Sequence, residues 1–454
     1  MSLRSIIRRW IGLALLPVLA VSCEMFETYP EPKGWYEGPK AGESGMEQKE
    51  RTSSEPTRKV LLLYSAGYNS LRGYLKEDLE DLTKGYVPRD GFKDDVLLVL
   101  SHLNAKGGDY KTPTAPVLYR LTTNRSGKVV ADTLLRLTPG PVTKKETLQL
   151  VLNYVHDRFP AQSYGMVFSS HASGWLPPGY YANPEDKYSD SITWDAPRRR
   201  LSYSGPVPVY WPEPDEGPAV KSIGQEQIDV QSYEMTLREF AGAFPMHFDY
   251  ILIDACLMGG VEVAWEFRNI CDGVGFSQAE VLAEGFDYTK ITHHLLENET
   301  PDPVAVCEDY FNYYDAQKGS FRSATISFVD CHQLDPLATV CKALFAKYRT
   351  SLSTLDHTSV QNFGRRISGY NHSWYFDLKD MLTKADATQE DLEALQQALD
   401  GCIVYKAATP VLLGSIPINA FSGLTVHLPA YGTDFLNNYY KENVSWNDAT
   451  TLVE

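Results

Sequence analysis

The chain has 454 residues, a length typical of two or three domains, and a net charge of −16 at neutral pH. Hydrophobic residues make up 43% of it, as in ordinary soluble globular proteins. Because nucleic-acid binding needs a basic face, this acidic balance argues against nucleic acid as a partner and favours attraction of basic substrates.

The first 23 residues have the features of an export signal: three arginines, then an apolar run shorter than a membrane span needs. This run ends in Leu19-Ala-Val-Ser-Cys23, which resembles the lipobox of bacterial lipoproteins, with Ala in place of the usual Leu at position 20. We therefore expect cleavage before Cys23, acylation of Cys23 and a lipid-anchored protein of the cell envelope. Ordinary secretion with cleavage nearby is the alternative. Residues 24–57 are rich in Pro, Gly, Glu, Lys and Ser, and we expect a flexible tether.

Strand and helix patterns alternate from Lys59 onward. The apolar runs predict strands, and apolar residues at helical spacing predict the helices between them. The predicted strands are Val60–Tyr64, Val96–Leu100, Val117–Leu121, Met166–Phe168, Tyr250–Ile253, Gly273–Ser277, Ser323–Val329 and Leu424–Leu428. The predicted helices include Thr143–Phe159, Val304–Tyr314, Leu334–Tyr348 and Glu390–Leu399. This order predicts an α/β fold with a mainly parallel sheet and helices on both faces.

Two chemistry-bearing residues follow two of these strands. His171 comes just after the strand that ends near Phe168, and Cys256 comes just after Tyr250–Ile253, before a helix expected to start near Gly259 or Gly260. Parallel strands would carry both to the same sheet edge, where α/β proteins place catalytic groups. An imidazole beside a thiol can take its proton and pass it to a leaving amine. Taken alone, Cys256 could be an ordinary buried core cysteine, and His171 an ordinary loop histidine without a catalytic role.

The two stretches resemble the clostripain family of cysteine peptidases, in the caspase-like clan. The resemblance rests on His171-Ala-Ser-Gly-Trp175 and on Asp254-Ala-Cys-Leu-Met258, followed by Val261-Glu262. The strand Val60–Tyr64 with Tyr68-Asn-Ser-Leu71 is similar to the family's first strand and loop. Ser422–Pro429 and Trp446 are similar to its C-terminal end. The resemblance implies a caspase-like fold from about residue 58 and a His171–Cys256 dyad that hydrolyses amides without a third residue.

Asp254 shares a strand face with Cys256, because alternate residues of a strand point the same way. It matches the acidic residue that the family uses to bind a basic P1 side chain, and a carboxylate pairs best with Arg, with Lys also accepted. Glu284 and Asp287 are two candidates for a second acid, and Trp175 for a pocket wall. Asp254 as a helix cap and Trp175 as a core residue are the structural alternatives.

Residues 176–225 interrupt the alternation with prolines, aromatics and charges. A loop of this length in a compact domain is usually functional or disordered. The family resemblance implies a zymogen that is cut between its histidine and cysteine motifs. The candidate bonds follow Lys187, Arg198, Arg199 and Arg200. A solvated loop is the simpler interpretation of this basic run.

The division that follows from these patterns is a signal at 1–23, a tether at 24–57, a peptidase domain at 58–355 with the insertion, and a C-terminal α/β subdomain at 356–454. The remaining cysteines form no Cys-x-x-Cys pair, so we expect neither a zinc site nor a disulfide scaffold. No cofactor is expected to be required, although some clostripain relatives respond to calcium. We expect a monomer that acts on protein or peptide substrates. A surface lipoprotein that only binds protein or glycan, and a transpeptidase on the same dyad, are the alternative functions.

Overall fold

A computed structural model describes residues 57–89, 95–106, 108–112, 114–181, 192–195, 200–203, 226–228, 231–364, 366–367, 370–371 and 374–454. The expected signal at 1–23 and residues 24–56 of the expected tether lie outside these ranges. Among the residues described, no helix is long and apolar enough to cross a bilayer.

The strands fall into one large sheet and several short pairs. They are β1 (Thr57–Gly67), β2 (Val96–Leu103), β3 (Val117–Thr123), β4 (Val129–Arg136), β5 (Ala161–Ser169), β6 (Ile192–Asp195), β7 (Arg200–Tyr203), β8 (Glu226–Ile228), β9 (Gln231–Tyr233), β10 (Phe248–Asp254), β11 (Cys271–Phe276), β12 (Thr325–Asp330), β13 (Arg366–Ile367), β14 (Tyr370–Asn371), β15 (Phe376–Asp377), β16 (Ile403–Ala408), β17 (Val411–Leu412), β18 (Ile416–Pro417) and β19 (Thr425–Val426).

Helices connect these strands. The α-helices are α1 (Arg72–Leu82), α2 (Lys145–Arg158), α3 (Leu237–Ala241), α4 (Val261–Phe267), α5 (Tyr288–Thr292), α6 (Pro303–Asp315), α7 (Leu334–Lys347), α8 (Arg349–Thr354), α9 (Leu378–Lys384), α10 (Gln389–Cys402), α11 (Asp434–Asn443) and α12 (Ser445–Thr450). A π-helical turn spans His293–Glu297, and 3₁₀ turns span Gly319–Phe321, Cys331–Gln333 and His357–Ser359.

Within the described ranges, nine strands form the central sheet, in the order β16-β12-β11-β10-β5-β1-β2-β3-β4. The five strands from β11 to β2 are parallel to their neighbours, and β12, β16, β3 and β4 extend the sheet antiparallel at its two sides. The predicted α/β fold with a mainly parallel centre is therefore confirmed. The strand β4 and the edge strand β16 were not predicted, because their residues are mostly half-buried and show no clean apolar run.

The central strands are buried on both faces. Val60 to Tyr64 and Val96 to Leu100 are each at most 2% exposed, without the alternation that a half-exposed strand would show. Continuous burial is typical of a parallel sheet covered by helices on both sides. Such burial explains why these strands were visible in the sequence as unbroken apolar runs.

The C-terminal part of the chain contributes directly to this sheet. Strand β16 pairs antiparallel with β12, and β19 pairs with β15. The strand expected at Leu424–Leu428 is present as the shorter β19. The domain boundary at residues 355 and 356 stays a prediction.

The insertion at 176–225 is described only at its start and in one hairpin. Its β6 and β7 pair antiparallel, with Asp195 opposite Arg200. Irregular composition had indicated no strands here. Of the candidate cleavage residues, Arg200 begins β7, whereas Lys187, Arg198 and Arg199 lie outside the described residues.

Candidate active site

The register between β5 and β10 brings His171 and Cys256 to one edge of the sheet. These strands are parallel neighbours, and their last aligned pair is Ser169 opposite Asp254. His171 is two residues beyond Ser169, and Cys256 is two residues beyond Asp254. His171 and Cys256 therefore follow adjacent strands at the same distance from the end of the ladder, as the strand patterns had predicted.

The loops that carry the two residues also touch each other. Gly174, three residues after His171, has a φ of +61°, a left-handed conformation that favours glycine. A β-carbon added at Gly174 would stand 2.6 Å from the carbonyl oxygen of Leu257, the residue after Cys256. The histidine loop is thus packed directly against the cysteine turn.

Cys256 lies in a tight turn between β10 and α4. Its thiol is fully buried, and the backbone N–H of Val281 donates to Sγ at 3.1 Å. Leu257 has a φ of 61°, which costs energy in a residue other than glycine and is often found at functional sites. Backbone hydrogen bonds from Leu257 to Ala279 and from Gly259 to Ser277 hold the turn in place. The segment after β11 therefore positions the sulfur.

Two buried tyrosines lie near the thiol. The Tyr181 hydroxyl donates to Glu280 at 2.8 Å, and the Tyr375 hydroxyl donates to the carbonyl of Ser173 at 2.7 Å. Burial raises the pKa of both tyrosines well above the usual value, and a negative charge on Cys256 adds to each rise. Each side chain is 1% exposed. The thiol of Cys256 is therefore buried in the same region as these two tyrosines.

His171 is mostly buried and faces the loop after β1. It is 7% exposed, and its Nε2 lies 3.3 Å from the hydroxyl of Ser70. The neighbouring Ser170 donates to the carbonyl of Ala66 at 2.9 Å, which ties the histidine loop to the end of β1. Ser70 was not selected from the sequence, since a lone serine in a loop carries no chemical signature.

Asp254 is a buried carboxylate at the end of β10. Its Oδ2 accepts hydrogen bonds from the Tyr288 hydroxyl at 2.8 Å and the Ser169 hydroxyl at 3.3 Å. Burial raises the pKa of Tyr288, Tyr310 and Tyr314, and the negative charge of Asp254 contributes to each rise. Asp254 therefore lies in a buried environment rich in tyrosine, on the strand that leads to Cys256.

The two candidates for a second acid occupy different positions. Asp287 is the N-cap of α5: its Oδ1 accepts from the Thr289 N–H at 3.1 Å, and Oδ2 lies 3.3 Å from Lys290 Nζ. Glu284 is exposed, and its charge helps to raise the pKa of Tyr314, which Asp254 also influences. Glu284 is thus the candidate within electrostatic reach of the same tyrosine as Asp254.

Trp175 is part of the hydrophobic core. Glu280 is a buried acid that was not among the candidates from the sequence. Trp175 is 2% exposed and packs edge-on against His427 and Tyr440. Glu280 is 2% exposed and accepts a hydrogen bond from Tyr181. It directly precedes Val281, whose backbone N–H donates to the sulfur of Cys256. Nothing distinguished Glu280 in sequence from its acidic neighbours in the same loop.

In the described part of the chain, no group of three His, Cys, Asp or Glu side chains could hold a metal ion. His293 and His294, adjacent in sequence, instead pair with Glu297 at 2.5 Å and Asp309 at 2.9 Å.

A sequence profile of the clostripain family matches residues 210–452, which is more than half of the chain. The chain belongs to the clostripain family. The match includes Asp254 and Cys256 and begins after His171, so the place of His171 rests on the strand register described above. No curated protein shows significant sequence similarity to the chain.

Solved structures of C11 proteases share the fold of this chain. An inactive zymogen C11 protease from Parabacteroides distasonis is 26% identical, with a TM-score of 0.67 over 87% of this chain and 99% of that one. A secreted C11 cysteine protease from Bacteroides thetaiotaomicron, in complex with an irreversible peptide inhibitor, is 21% identical, with a TM-score of 0.65 over 87% and 98%. A further structure of a secreted C11 cysteine protease from that organism, called iotapain, is 23% identical, with a TM-score of 0.65 over 87% and 99%. The last two show likeness of fold alone.

This clostripain-family protein is a cysteine peptidase, and its substrates are peptides. The family resemblance drawn from the His171 and Cys256 motifs is confirmed.

Proposed function

We propose that the protein is a membrane-anchored cysteine endopeptidase that uses a His171–Cys256 dyad and cleaves after Arg, and also after Lys. The observation that carries this proposal is the register of β5 and β10, which ends both strands at Ser169 and Asp254 and places His171 and Cys256 two residues further on.

In the proposed reaction, the sulfur of Cys256 attacks the scissile carbonyl. His171 takes the thiol proton and donates it to the leaving amine, and water then hydrolyses the acyl-enzyme. The Val281 N–H that donates to Sγ stabilises negative charge on the sulfur.

Asp254 is proposed to bind the basic P1 side chain. It is 1% exposed and its hydrogen bonds from Tyr288 and Ser169 fix the orientation of the carboxylate. A desolvated carboxylate favours a cation that reaches it, and the planar guanidinium of Arg can bond to it in two places. Glu284 is proposed as the second acid, because its charge acts on Tyr314 together with that of Asp254.

The intact chain is proposed to be latent and to cut itself within 176–225. Tyr181, the last described residue before the middle of this insertion, bonds to Glu280 beside the fully buried thiol. Release of this segment would let Tyr181 move away and open the nucleophile to substrate.

Export and acylation at Cys23 are proposed from the sequence of residues 1–23, and they would place the enzyme on the cell envelope. The enzyme is further proposed to act as a monomer without a required metal. Dialysis against a chelator, followed by addition of calcium, tests the metal independence: restored activity that depends on calcium would contradict it.

The decisive experiment is labelling with a chloromethyl ketone that carries Arg. We expect one label per processed chain, lost in Cys256→Ala and strongly slowed in His171→Ala. Cys341→Ala, which removes another buried cysteine on α7, serves as the control and should keep the label. Substantial peptide hydrolysis by a well-folded Cys256→Ala or His171→Ala variant would remove the dyad.

A further inference from the structure

The loop between β1 and α1 lies against the catalytic histidine. Its residue Ser70 is exposed, and the Ser70 hydroxyl lies 3.3 Å from His171 Nε2. The other ring nitrogen, Nδ1, is buried. A hydroxyl at Nε2 can accept its N–H, which would keep the proton on Nε2 and leave Nδ1 as the basic nitrogen.

Short-range hydrogen bonds fix the shape of this loop. The Asn69 side chain accepts from the Leu71 N–H at 2.9 Å and donates to the Ala66 carbonyl at 3.1 Å. That carbonyl also accepts from Ser170, the neighbour of His171. The Ala66 carbonyl therefore joins the loop that presents Ser70 to the segment that carries the histidine.

The buried pair of Glu226 and His102 also contacts this loop, at Tyr68. Glu226 and His102 are both fully buried, and Glu226 Oε1 lies 2.5 Å from His102 Nδ1. The His102 ring stacks on Tyr68, with centroids 4.8 Å apart. The backbone N–H of Gln227 donates to the Tyr68 carbonyl at 2.9 Å. Both contacts reach the residue two positions before Ser70.

The Glu226 carboxylate also accepts hydrogen bonds from the backbone. Its Oε2 accepts the backbone N–H of Val142 at 2.5 Å and that of Thr143 at 3.2 Å. The carboxylate thus bridges the segment just before α2 and the histidine on β2. A buried carboxylate that lacked these donors would lower the stability of the fold. The need to satisfy Glu226 therefore holds Val142, Thr143 and His102 in place around it.

We propose that Ser70 is a positioning residue for His171, and that Glu226, acting through His102 and Tyr68, holds the loop that presents Ser70. This inference rests on the proposed His171–Cys256 dyad. Ser70 accepts the Nε2–H and sets the tautomer and orientation of the imidazole. It also stabilises the imidazolium formed when His171 takes the thiol proton.

The proposal gives the end of the insertion a role in catalysis. Glu226 directly follows residues 176–225, whereas Tyr68, His102 and His171 precede them. After a cut inside the insertion, Glu226 and Gln227 would belong to the second fragment. The second fragment would then support the histidine of the first.

The first test uses Ser70→Ala in the full chain. We expect kcat to fall on the order of tenfold with KM nearly unchanged, because the hydroxyl supports general acid–base chemistry and not substrate binding. The limb of the pH–rate profile that reports His171 should shift to lower pH, because the imidazolium loses an acceptor. Ser70→Thr keeps a hydroxyl and should restore both. Ser126→Ala, in the exposed turn between β3 and β4, is the matched control.

The second test uses Glu226→Met, which removes the bonds to His102, Val142 and Thr143. We expect a fall in kcat like that of Ser70→Ala, and no further fall when the two changes are combined, because both act through one loop. Glu226→Gln can donate to Nδ1 and accept from both backbone amides, so it should keep most of the activity. If Glu226→Met does not fold, Ser70→Ala still tests the role of Ser70, and a folded Glu226→Gln variant that loses kcat would contradict the hydrogen-bonding role of Glu226.

The outcomes separate this inference from the proposed function. An active Cys256→Ala variant would remove the dyad itself. Essential Cys256 and His171, together with Ser70→Ala at wild-type kcat and an unchanged pH profile, would overturn the role of Ser70 alone. Additive losses in the Ser70→Ala, Glu226→Met double variant would overturn the link between them.

Discussion

Gly174 and Leu257 are packed so closely that a β-carbon at Gly174 would lie 2.6 Å from the Leu257 carbonyl oxygen. This contact joins the loop after His171 to the turn after Cys256. Both residues also have positive φ angles, +61° for Gly174 and 61° for Leu257. The relative placement of the two loops therefore depends on a backbone conformation that few side chains allow.

We predict that Gly174→Ala lowers both stability and activity. The methyl group meets backbone, which cannot move aside as a flexible side chain would, and the left-handed conformation adds strain; together they should cost about 1–3 kcal/mol of unfolding free energy. Gly401→Ala is the control, because a β-carbon there meets nothing within 4 Å and lies in α10. Denaturant unfolding and peptide hydrolysis measure both effects. Equal behaviour of the two variants would contradict the close packing.

Much of the sheet edge that carries His171 and Cys256 could be predicted because the signals are local. Val60–Tyr64 and Tyr250–Ile253 are unbroken apolar runs since their strands are buried on both faces. Parallel strands end at a common edge, so the sequence alone predicts that His171 and Cys256 lie at the same edge. The helix after Cys256 begins at Val261, as its apolar spacing and the glycines at 259 and 260 indicated.

The supporting residues could not be predicted because their contacts are long-range. Glu226 meets His102 across 124 positions, and Tyr181 meets Glu280 across 99. Neither pair has a spacing or motif that reveals it. Trp175 illustrates the converse: it belongs to a conspicuous motif, yet its ring packs in the core against His427 and Tyr440.

The second prediction concerns Glu262, which is buried on the helix that follows Cys256. Burial raises the pKa of Glu262 from 4.5 to about 7, although its Oε1 accepts from the His427 N–H and the Tyr440 hydroxyl. Because the pKa of Glu262 is higher in the folded state than in the unfolded chain, folding is more favourable when Glu262 is protonated. The contribution of Glu262 to stability is therefore fully present below about pH 4.5 and is lost as the pH rises to about 7.

Glu262→Gln should remove that loss. Above pH 7 the variant should exceed the wild type in unfolding free energy by up to about 3 kcal/mol, while the two converge near pH 4.5. Glu393→Gln, on the exposed side of α10, is the matched control. Denaturant melts from pH 4.5 to 8.5 provide the comparison, and parallel curves for Glu262→Gln and the wild type would contradict the buried titration.

The third prediction is the effect of Asp254→Asn on specificity. The amide keeps an acceptor for Tyr288 but loses the charge that we propose binds a basic P1 residue. We expect kcat/KM for Arg substrates to fall by a factor on the order of ten to a thousand. Glu284→Gln should give a smaller fall, because Glu284 is exposed and its attraction is screened. Preference of the wild type for P1 Asp or a large apolar residue would show that the assignment of the pocket is wrong.

The fourth prediction is the lipid anchor at Cys23. Cys23→Ser should release the protein from the membrane fraction or leave its signal uncut, since serine cannot carry the thioether-linked lipid. Fractionation with mass spectrometry of the mature N-terminus measures both. Ser22→Ala, which leaves the acceptor thiol in place, is the control. Unchanged membrane partition of Cys23→Ser would point to another anchor.

The last prediction is self-cleavage within 176–225, after Lys187, Arg198, Arg199 or Arg200, with the arginine run favoured because it offers three adjacent bonds. A denaturing gel should show two fragments, and Cys256→Ala should remain one chain. The fragments should co-purify under native conditions, because β5 of the first pairs with β10 of the second and His102 of the first bonds to Glu226 of the second. Replacing all four basic residues by Gln should leave the chain intact and Cys256 slow to react with the Arg chloromethyl ketone, because Tyr181 would stay bonded to Glu280 and the thiol would stay buried. Mass spectrometry would identify the new C-terminus. A fully active enzyme that stays intact, or one cut only outside this segment, would show that cleavage of the insertion does not control access to Cys256.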